Sequence, residues 1–217
     1  MKKILIAFLV LLCVSNSINC MEVKDEHKDF ISSLKQTALI YLEGTIQDRY
    51  KDLSKEELNK RLTDLLNLKG NRMDLDESVR LIIAGADIDV KSENGWTTLI
   101  AAAQRGRTEV IGLLVDKGAN INAQDNDGWS ALIWATEVGR NEAVRVLIDK
   151  GADIEIKDKF GWTPLMFAVS KGRTEMVKFL IDKGANIDNQ DNFDRTALMV
   201  AKKIDHIEIM QLLSKKD

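Results

Sequence analysis

The chain has 217 residues, of which 45% are hydrophobic and 30% charged, and it carries a single proline and a formal net charge of −3. This composition is typical of a folded, helix-rich protein and excludes a disordered or collagen-like chain. Because the balance is slightly acidic and no basic patch stands out, the sequence does not predict nucleic-acid binding.

The amino-terminal residues have the pattern of a secretory signal peptide. A short basic start, Met1-Lys2-Lys3, precedes an apolar run from Ile4 to Val14 that is too short to span a bilayer. We therefore assign residues 1–20 to a signal peptide, with cleavage after Ser17 or after Cys20 as open alternatives. The expectation is an exported protein, either periplasmic or secreted.

A third interpretation concerns Cys20, which resembles the lipid-modified first residue of bacterial lipoproteins. The preceding Ser17-Ile18-Asn19 departs from the usual Leu-x-Gly/Ala of such proteins. Under this hypothesis a lipid on Cys20 is the protein's attachment to a membrane. With Cys13 in the signal segment, the mature chain has no pair of cysteines for a disulfide.

Residues 21–57 are predicted to form a helical segment that caps the region after it. An amphipathic helix is indicated by apolar residues three and four positions apart: Phe30, Leu34, Ala38, Tyr41, Leu42 and Ile46. A second helix is expected to begin at Ser54, because Ser54 and Glu57 form a capping box. Both helices need an apolar surface to cover, and the exposed end of the following array supplies one.

The rest of the chain repeats at an interval of 33 residues. The glycines Gly85, Gly118, Gly151 and Gly184 mark this interval, and a fixed period of this length indicates stacked structural repeats. The predicted units are a degenerate repeat at 58–93, three regular repeats at 94–126, 127–159 and 160–192, and a carboxyl-terminal cap at 193–217 with a polar ending, Ser214-Lys215-Lys216-Asp217.

Each regular unit contains two short helical patterns. In the clearest unit the first helix opens at Thr163-Pro164 and ends at Gly172, since proline is well tolerated in a first turn. The second helix is predicted to begin at an N-cap, Thr174, and to stop at Gly184, which would adopt the left-handed conformation. A polar turn at 188–192 leads to the next unit.

These motifs are similar to the ankyrin repeat. Thr163-Pro164-Leu165 and Gly184-Ala185-Asn186 match its pattern directly, and looser copies begin at Thr97, Ser130 and Thr196. The resemblance implies an all-α solenoid of helix-turn-helix units joined by β-hairpin-like turns, with the amino-terminal helical cap on one end. The family's histidine is replaced here by Ile100, Ile133, Met166 and Met199.

The sequence contains no recognisable catalytic constellation. His27 and His206 are interpreted as solvated or structural, and no nucleophile, metal-ligand spacing or phosphate-binding glycine loop accompanies them. We therefore expect a protein that is not an enzyme and that needs neither a metal nor a cofactor.

The resemblance implies a concave face, formed by turn tips and first-helix ends, that binds a partner. The candidate partner-binding residues at these positions are Trp96, Arg105, Asp127, Trp129, Glu137, Lys159, Phe160, Trp162, Lys171, Phe193 and Arg195. Three tryptophans and an arginine recur at equivalent places in successive units, and such residues are enriched at interface hot spots.

Two interpretations of this row are compatible, namely a contact strip for the partner and a packing role that stiffens the turns. Trp134, on the inward side of its helix, is assigned to the core. The predicted function is non-catalytic recognition of another protein by a monomer. The alternative is an envelope-attached structural scaffold without a single partner.

Overall fold

A computed structural model of the chain describes residues 43–68 and 74–214. The predicted signal peptide, Cys20, His27 and the part of the helical cap before residue 43 lie outside the described residues. So do residues 69–73 and the last three residues of the carboxyl-terminal cap.

The described chain is helical apart from its turns. Residues 43–50 are helical and lead into helices with these bounds: α1 (Lys55–Asn67), α2 (Leu75–Ile83), α3 (Thr98–Arg105), α4 (Thr108–Asp116), α5 (Ala131–Val138), α6 (Asn141–Asp149), α7 (Pro164–Ser170), α8 (Thr174–Asp182), α9 (Ala197–Lys203) and α10 (Ile207–Ser214). Among these residues there is no helix with both the length and the apolar character needed to cross a membrane.

The helices form two layers. Each odd-numbered helix packs against the even-numbered helix that follows it. From α3 onward, each odd-numbered helix also packs against the odd-numbered helix of the next unit. The links between units are hairpin turns with isolated antiparallel bridges, Gln124 with Ser130 and Gln190 with Thr196. The predicted all-α solenoid is therefore confirmed.

The first helix of each regular unit begins at a hydroxyl N-cap. The side-chain oxygens of Thr97, Ser130, Thr163 and Thr196 each accept a hydrogen bond from the backbone N–H three residues later. This satisfies one of the amide groups that a helix start leaves without a partner. The local sequence therefore sets where the inner helices begin.

The second helix departs from prediction at its start. Thr174 is its first residue rather than its N-cap, and Arg173 takes the N-cap position without a side-chain hydrogen bond. The turn before α8 is short, and it is closed by a backbone hydrogen bond from Arg173 N–H to Ala168 O. At the other end Gly184 has φ +93°, the predicted left-handed conformation.

The core runs unbroken between units through the position where the family has histidine. Ile100, Ile133 and Met166 are 0 to 1% exposed there. In the last unit the same position is Met199, which is 52% exposed, and Ile207 is 64% exposed. These two apolar side chains are therefore left open to solvent at this end of the described array, while the polar ending predicted from Ser214-Lys215-Lys216-Asp217 lies almost wholly outside the described residues and stays a prediction.

The described part of the predicted amino-terminal cap packs on the first units. Tyr50 is buried and donates its hydroxyl hydrogen to Glu77 on α2. Burial, together with this bond to a carboxylate, raises the pKa of Tyr50. Ser54 caps α1 as predicted by accepting from Glu57 N–H. The helix α1 itself runs across the boundary that we placed between residues 57 and 58.

The cap also continues a pattern of ion pairs on the outer layer. Lys150 pairs with Asp116, and Lys183 pairs with Asp149, each one unit earlier. Lys117 has no such aspartate, because the equivalent position is Ile83, and it pairs with Glu43 instead at 2.8 Å. Residues 43–50 therefore supply to the first regular unit a contact that other units obtain from their neighbours.

Candidate partner-binding face

The hairpin turns stack on one another through hydrogen bonds. Three backbone bonds join successive tips: Asn126 N to Asn94 O at 3.0 Å, Lys159 N to Asp127 O at 3.2 Å, and Asn192 N to Phe160 O at 2.9 Å. The tips therefore form a continuous, ordered edge. We call this edge, together with the adjacent side of the odd-numbered helices, the concave face.

A carboxylate holds each regular turn from inside. Asp125, Asp158 and Asp191 recur every 33 residues and are 5 to 8% exposed. In each, Oδ1 accepts hydrogen bonds from the backbone N–H groups two and four residues later. We call these three side chains the turn carboxylates. They place the residue after the turn glycine at the same point in each unit.

The second carboxylate oxygen differs among the three. Asp125 Oδ2 accepts from Trp134 Nε1 at 2.7 Å. Asp191 Oδ2 accepts from Trp162 Nε1 at 3.0 Å and from Arg195 Nε at 2.7 Å. Burial on its own would raise the pKa of Asp191, but the hydrogen bonds from Arg195 and from backbone N–H groups outweigh it and lower that pKa.

The predicted tryptophan row is part of a longer chain of rings, which we call the aromatic row. Its members in spatial order are Trp96, Trp134, Trp129, Phe167 and Trp162, with successive ring centroids 4.8, 4.6, 4.9 and 5.3 Å apart. These separations, with tilted or edge-on rings, are those of favourable aromatic pairs. The Arg195 guanidinium ends the row, 5.7 Å from the Trp162 ring centre.

The assignment of Trp134 to the core holds only in part, because its side chain packs against the core without being enclosed by it. Its ring lies between Trp96 and Trp129, it is only partly buried, and it lines a pocket on the concave face. The bond to Asp125 holds the indole N–H at the turn, so one edge of the ring stays on the concave face. Phe167, at the equivalent position one unit later, is the other ring that sequence reasoning missed.

Two depressions lie along the row. The one we call the aromatic pocket has a volume of about 310 Å³, at the lower end of the range for ligand pockets. Its lining residues are Trp129, Asp158, Phe160, Trp162, Phe167, Phe193 and Arg195. It brings together five of the predicted partner-binding residues: Trp129, Phe160, Trp162, Phe193 and Arg195.

The other depression, of about 440 Å³, lies nearer the amino terminus. It contains the predicted residues Trp96, Arg105 and Asp127, with Trp134 and the end of α1. Burial, followed by the nearby Arg107 charge, lowers the pKa of Arg105. An arginine nevertheless stays protonated at neutral pH, so this pocket holds a cation beside polar turn groups.

The remaining predicted residues lie outside both pockets. Glu137 on α5 and Lys171 after α7 form an ion pair with each other. Lys159 is exposed at a turn tip and holds that tip in place through its backbone. The structure therefore gathers eight of the eleven predicted residues into two pockets and leaves three beside them.

The residues that sequence reasoning missed share one signal. Trp134 and Phe167 are 33 residues apart, as are the three turn carboxylates, so the period marked them. What the period did not show is which of them contact each other. Within the described ranges, no three His, Cys, Asp or Glu side chains lie together in a way that could hold a metal ion.

Comparison with protein families supplies an independent line of evidence. A family model described as "Ankyrin repeats (3 copies)" matches residues 70–158 and 154–217. These overlapping matches cover residues 70–217, or 148 of the 217 residues. A search of curated proteins found no match to the chain.

Proposed function

The chain belongs to the ankyrin-repeat family, and we propose that it is a non-catalytic module that binds another protein through the concave face. Ankyrin repeats are generally protein–protein interaction modules, so the scaffold supports this class of function. A fold by itself does not identify a partner. The proposal therefore depends on what the concave face presents.

The observation that carries the proposal is a pair of exposed phenylalanines on an ordered edge. Phe160 and Phe193 are 60 and 65% exposed, and both line the aromatic pocket. Their backbones are held by Asp158 and Asp191, so the rings are presented at small further cost in conformational entropy. Large apolar side chains displayed together in this way mark interaction surfaces.

Three rings of the aromatic row line the same pocket as the two exposed phenylalanines. These rings are Trp129, Phe167 and Trp162, and they pack against one another. The packing role and the contact role foreseen for the tryptophans are thus compatible in one arrangement. We place the contact with the partner on the exposed rings and the support on the row.

We further propose that the protein is exported and acts as a monomer. The basic start and apolar run of residues 1–20 support export, and Cys20 offers a site for a lipid anchor. Mass spectrometry of the mature amino terminus tests the cleavage of the signal peptide and the lipid anchor. A lipid on Cys20 that is absent from a Cys20→Ser variant would establish the anchor, whereas an unmodified terminus after Ser17 would refute it.

Photo-crosslinking from the concave face tests the binding proposal. A photoreactive phenylalanine analogue at position 193 should capture one distinct protein from the source cells. The double variant Phe160→Ala/Phe193→Ala should bind that protein at least about tenfold more weakly, as expected for two hot-spot rings. Its melting temperature should stay close to that of the wild type, because exposed rings contribute little to folding.

The matched control is Ile207→Ala. Ile207 is 64% exposed, like the two rings, but lies at the start of α10 away from both pockets. It should leave partner binding unchanged. Equal loss of binding in the control and in the double variant would contradict the proposal. Crosslinking to many proteins without a distinct one would favour the scaffold alternative.

A further inference from the structure

We propose that the aromatic pocket binds the guanidinium group of an arginine side chain on the partner protein. This inference rests on the proposed function, since it names the chemistry of the contact on the same face. It starts from Asp158, which lines the pocket and is more than nine-tenths buried.

Asp158 differs from the other turn carboxylates in its second oxygen. Its Oδ1 accepts from Phe160 N and Trp162 N, as in the neighbouring turns. Its Oδ2 accepts no hydrogen bond from the described residues, and Asp158 forms no ion pair with them, whereas both other carboxylates have donors there. The ring at the position that donates to Asp125 is Phe167, which has no polar hydrogen.

This oxygen is not closed off from solvent. Among the side-chain polar atoms of the described residues, Thr98 Oγ1 alone is both fully buried and without a hydrogen-bond partner. Because Asp158 Oδ2 also lacks a partner, it is not fully buried. Asp158 Oδ2 therefore keeps an opening, and the cavity that Asp158 lines is the aromatic pocket. A carboxylate in a largely apolar pocket favours a ligand that donates hydrogen bonds and carries positive charge.

The neighbouring turn of the same protein shows which cation binds a turn carboxylate beside aromatic rings. At the next turn the Arg195 side chain binds Asp191 through Nε at 2.7 Å and Nη2 at 2.6 Å. Its guanidinium carbon lies 5.0 Å from the Phe193 ring centre and 5.7 Å from that of Trp162. At Asp158 the equivalent of Arg195 is Trp162, so this turn has aromatic walls but no cation on its carboxylate, while Arg195 at the pocket rim is bound to Asp191.

The charges around the pocket are consistent with a cationic ligand. Arg195 is neutralised by Asp191. At the adjacent tips the exposed Lys159 and Asp127 carry opposite charges and balance each other. Asp158 remains as the uncompensated charge at the pocket. Its aromatic walls add a cation–π attraction, which is strongest for tryptophan and favours arginine over lysine through planar stacking.

Titration of the intact protein with N-acetyl-arginine amide tests the proposal. Binding is followed by NMR through the indole N–H signals, which should shift saturably for Trp129 and Trp162. The uncharged isostere N-acetyl-citrulline amide should bind about tenfold more weakly, as should N-acetyl-arginine amide to the Asp158→Asn variant, because a charge-assisted hydrogen bond is lost. Asn keeps an oxygen for the turn, so the fold is expected to survive.

Asp182→Asn is the matched control, since it removes one exposed carboxylate from the end of α8, outside both pockets, and should leave the affinity within about twofold. If Asp158→Asn does not fold, Phe160→Ala takes its place and should also weaken binding, because Phe160 is an exposed pocket wall. The inference is overturned by the absence of a saturable shift, by equal binding of the citrulline compound, or by tighter binding of N-acetyl-lysine amide.

These outcomes are distinct from those of the partner experiment. If crosslinking from position 193 captures a protein but the arginine probe does not bind, this inference falls and the proposed function stands. If the probe binds but no protein is captured, the pocket's affinity for a guanidinium group stands and the proposed partner-binding function falls.

Discussion

Trp162 donates its indole Nε1–H to Asp191 Oδ2 over 3.0 Å, which joins a ring of the aromatic row to the carboxylate of the following hairpin turn. The same oxygen accepts from Arg195. One buried carboxylate thus orients a ring and a cation on the concave face while its other oxygen shapes the turn. Stability and presentation of the face are therefore coupled at Asp191.

The first prediction concerns acid. The pKa of Asp191 is lower in the folded protein than its ordinary value of 3.8, so its stabilising contribution is present above that value and is lost as pH falls through the lowered pKa. Asp191→Asn should lower the free energy of unfolding by about 1–3 kcal/mol at pH 7. Urea unfolding at neutral and acidic pH should show this difference shrinking as the pH falls below 3.8.

Asp194→Asn is the control for that experiment, because Asp194 is exposed and should matter little at either pH. A difference between Asp191→Asn and wild type that stays the same at both pH values would contradict the assignment.

The second prediction compares two glycines with similar backbones. Gly118 and Gly128 have φ of +92° and +81°, but a Cβ at Gly128 would lie 2.8 Å from Lys159 N, whereas at Gly118 nothing lies within 4 Å. Gly118→Ala should cost about 1–2 kcal/mol from backbone strain alone. Gly128→Ala should cost clearly more, since it also pushes apart two stacked tips. Urea unfolding that ranks them the other way would refute the close approach.

The third prediction uses one repeat position in two units. Met166 is 1% exposed and Met199 is 52% exposed. Met166→Ala should lower the free energy of unfolding by about 2–5 kcal/mol by leaving a cavity. Met199→Ala should change it by less than about 1 kcal/mol. Similar losses in denaturant unfolding would mean that the face around Met199 is covered in solution.

The fourth prediction tests the amino-terminal cap. Tyr50→Ala removes a buried ring and should cost about 3 kcal/mol, whereas Tyr50→Phe loses only the bond to Glu77 and should cost about 1 kcal/mol. Lys117→Ala, which breaks the exposed pair with Glu43, should cost at most about 1 kcal/mol. Thermal unfolding measures all three. A Tyr50→Ala protein as stable as wild type would show that residues 43–50 do not cap the array.

The sequence by itself determined the repeat, its period and most helix ends. Ser54 and Gly184 act as predicted and α7 opens at the predicted Thr163-Pro164 step, because capping and left-handed turns depend on a residue's own side chain and its immediate neighbours. Stacking of the units was predicted from the period as well, since a helix pair must be covered by the next pair, and Ile100 and Ile133 are buried in the stacked array.

Only the tertiary structure decided which side chains meet across units. Trp134 turned toward Asp125 and joined the aromatic row, Asp158 was left with one oxygen unoccupied, and Met199 stayed exposed at a position buried in the other units. Each outcome depends on what a neighbouring turn or helix offers within a few ångströms. Contacts between units are set by the geometry of stacking, which a linear spacing of 33 residues does not contain.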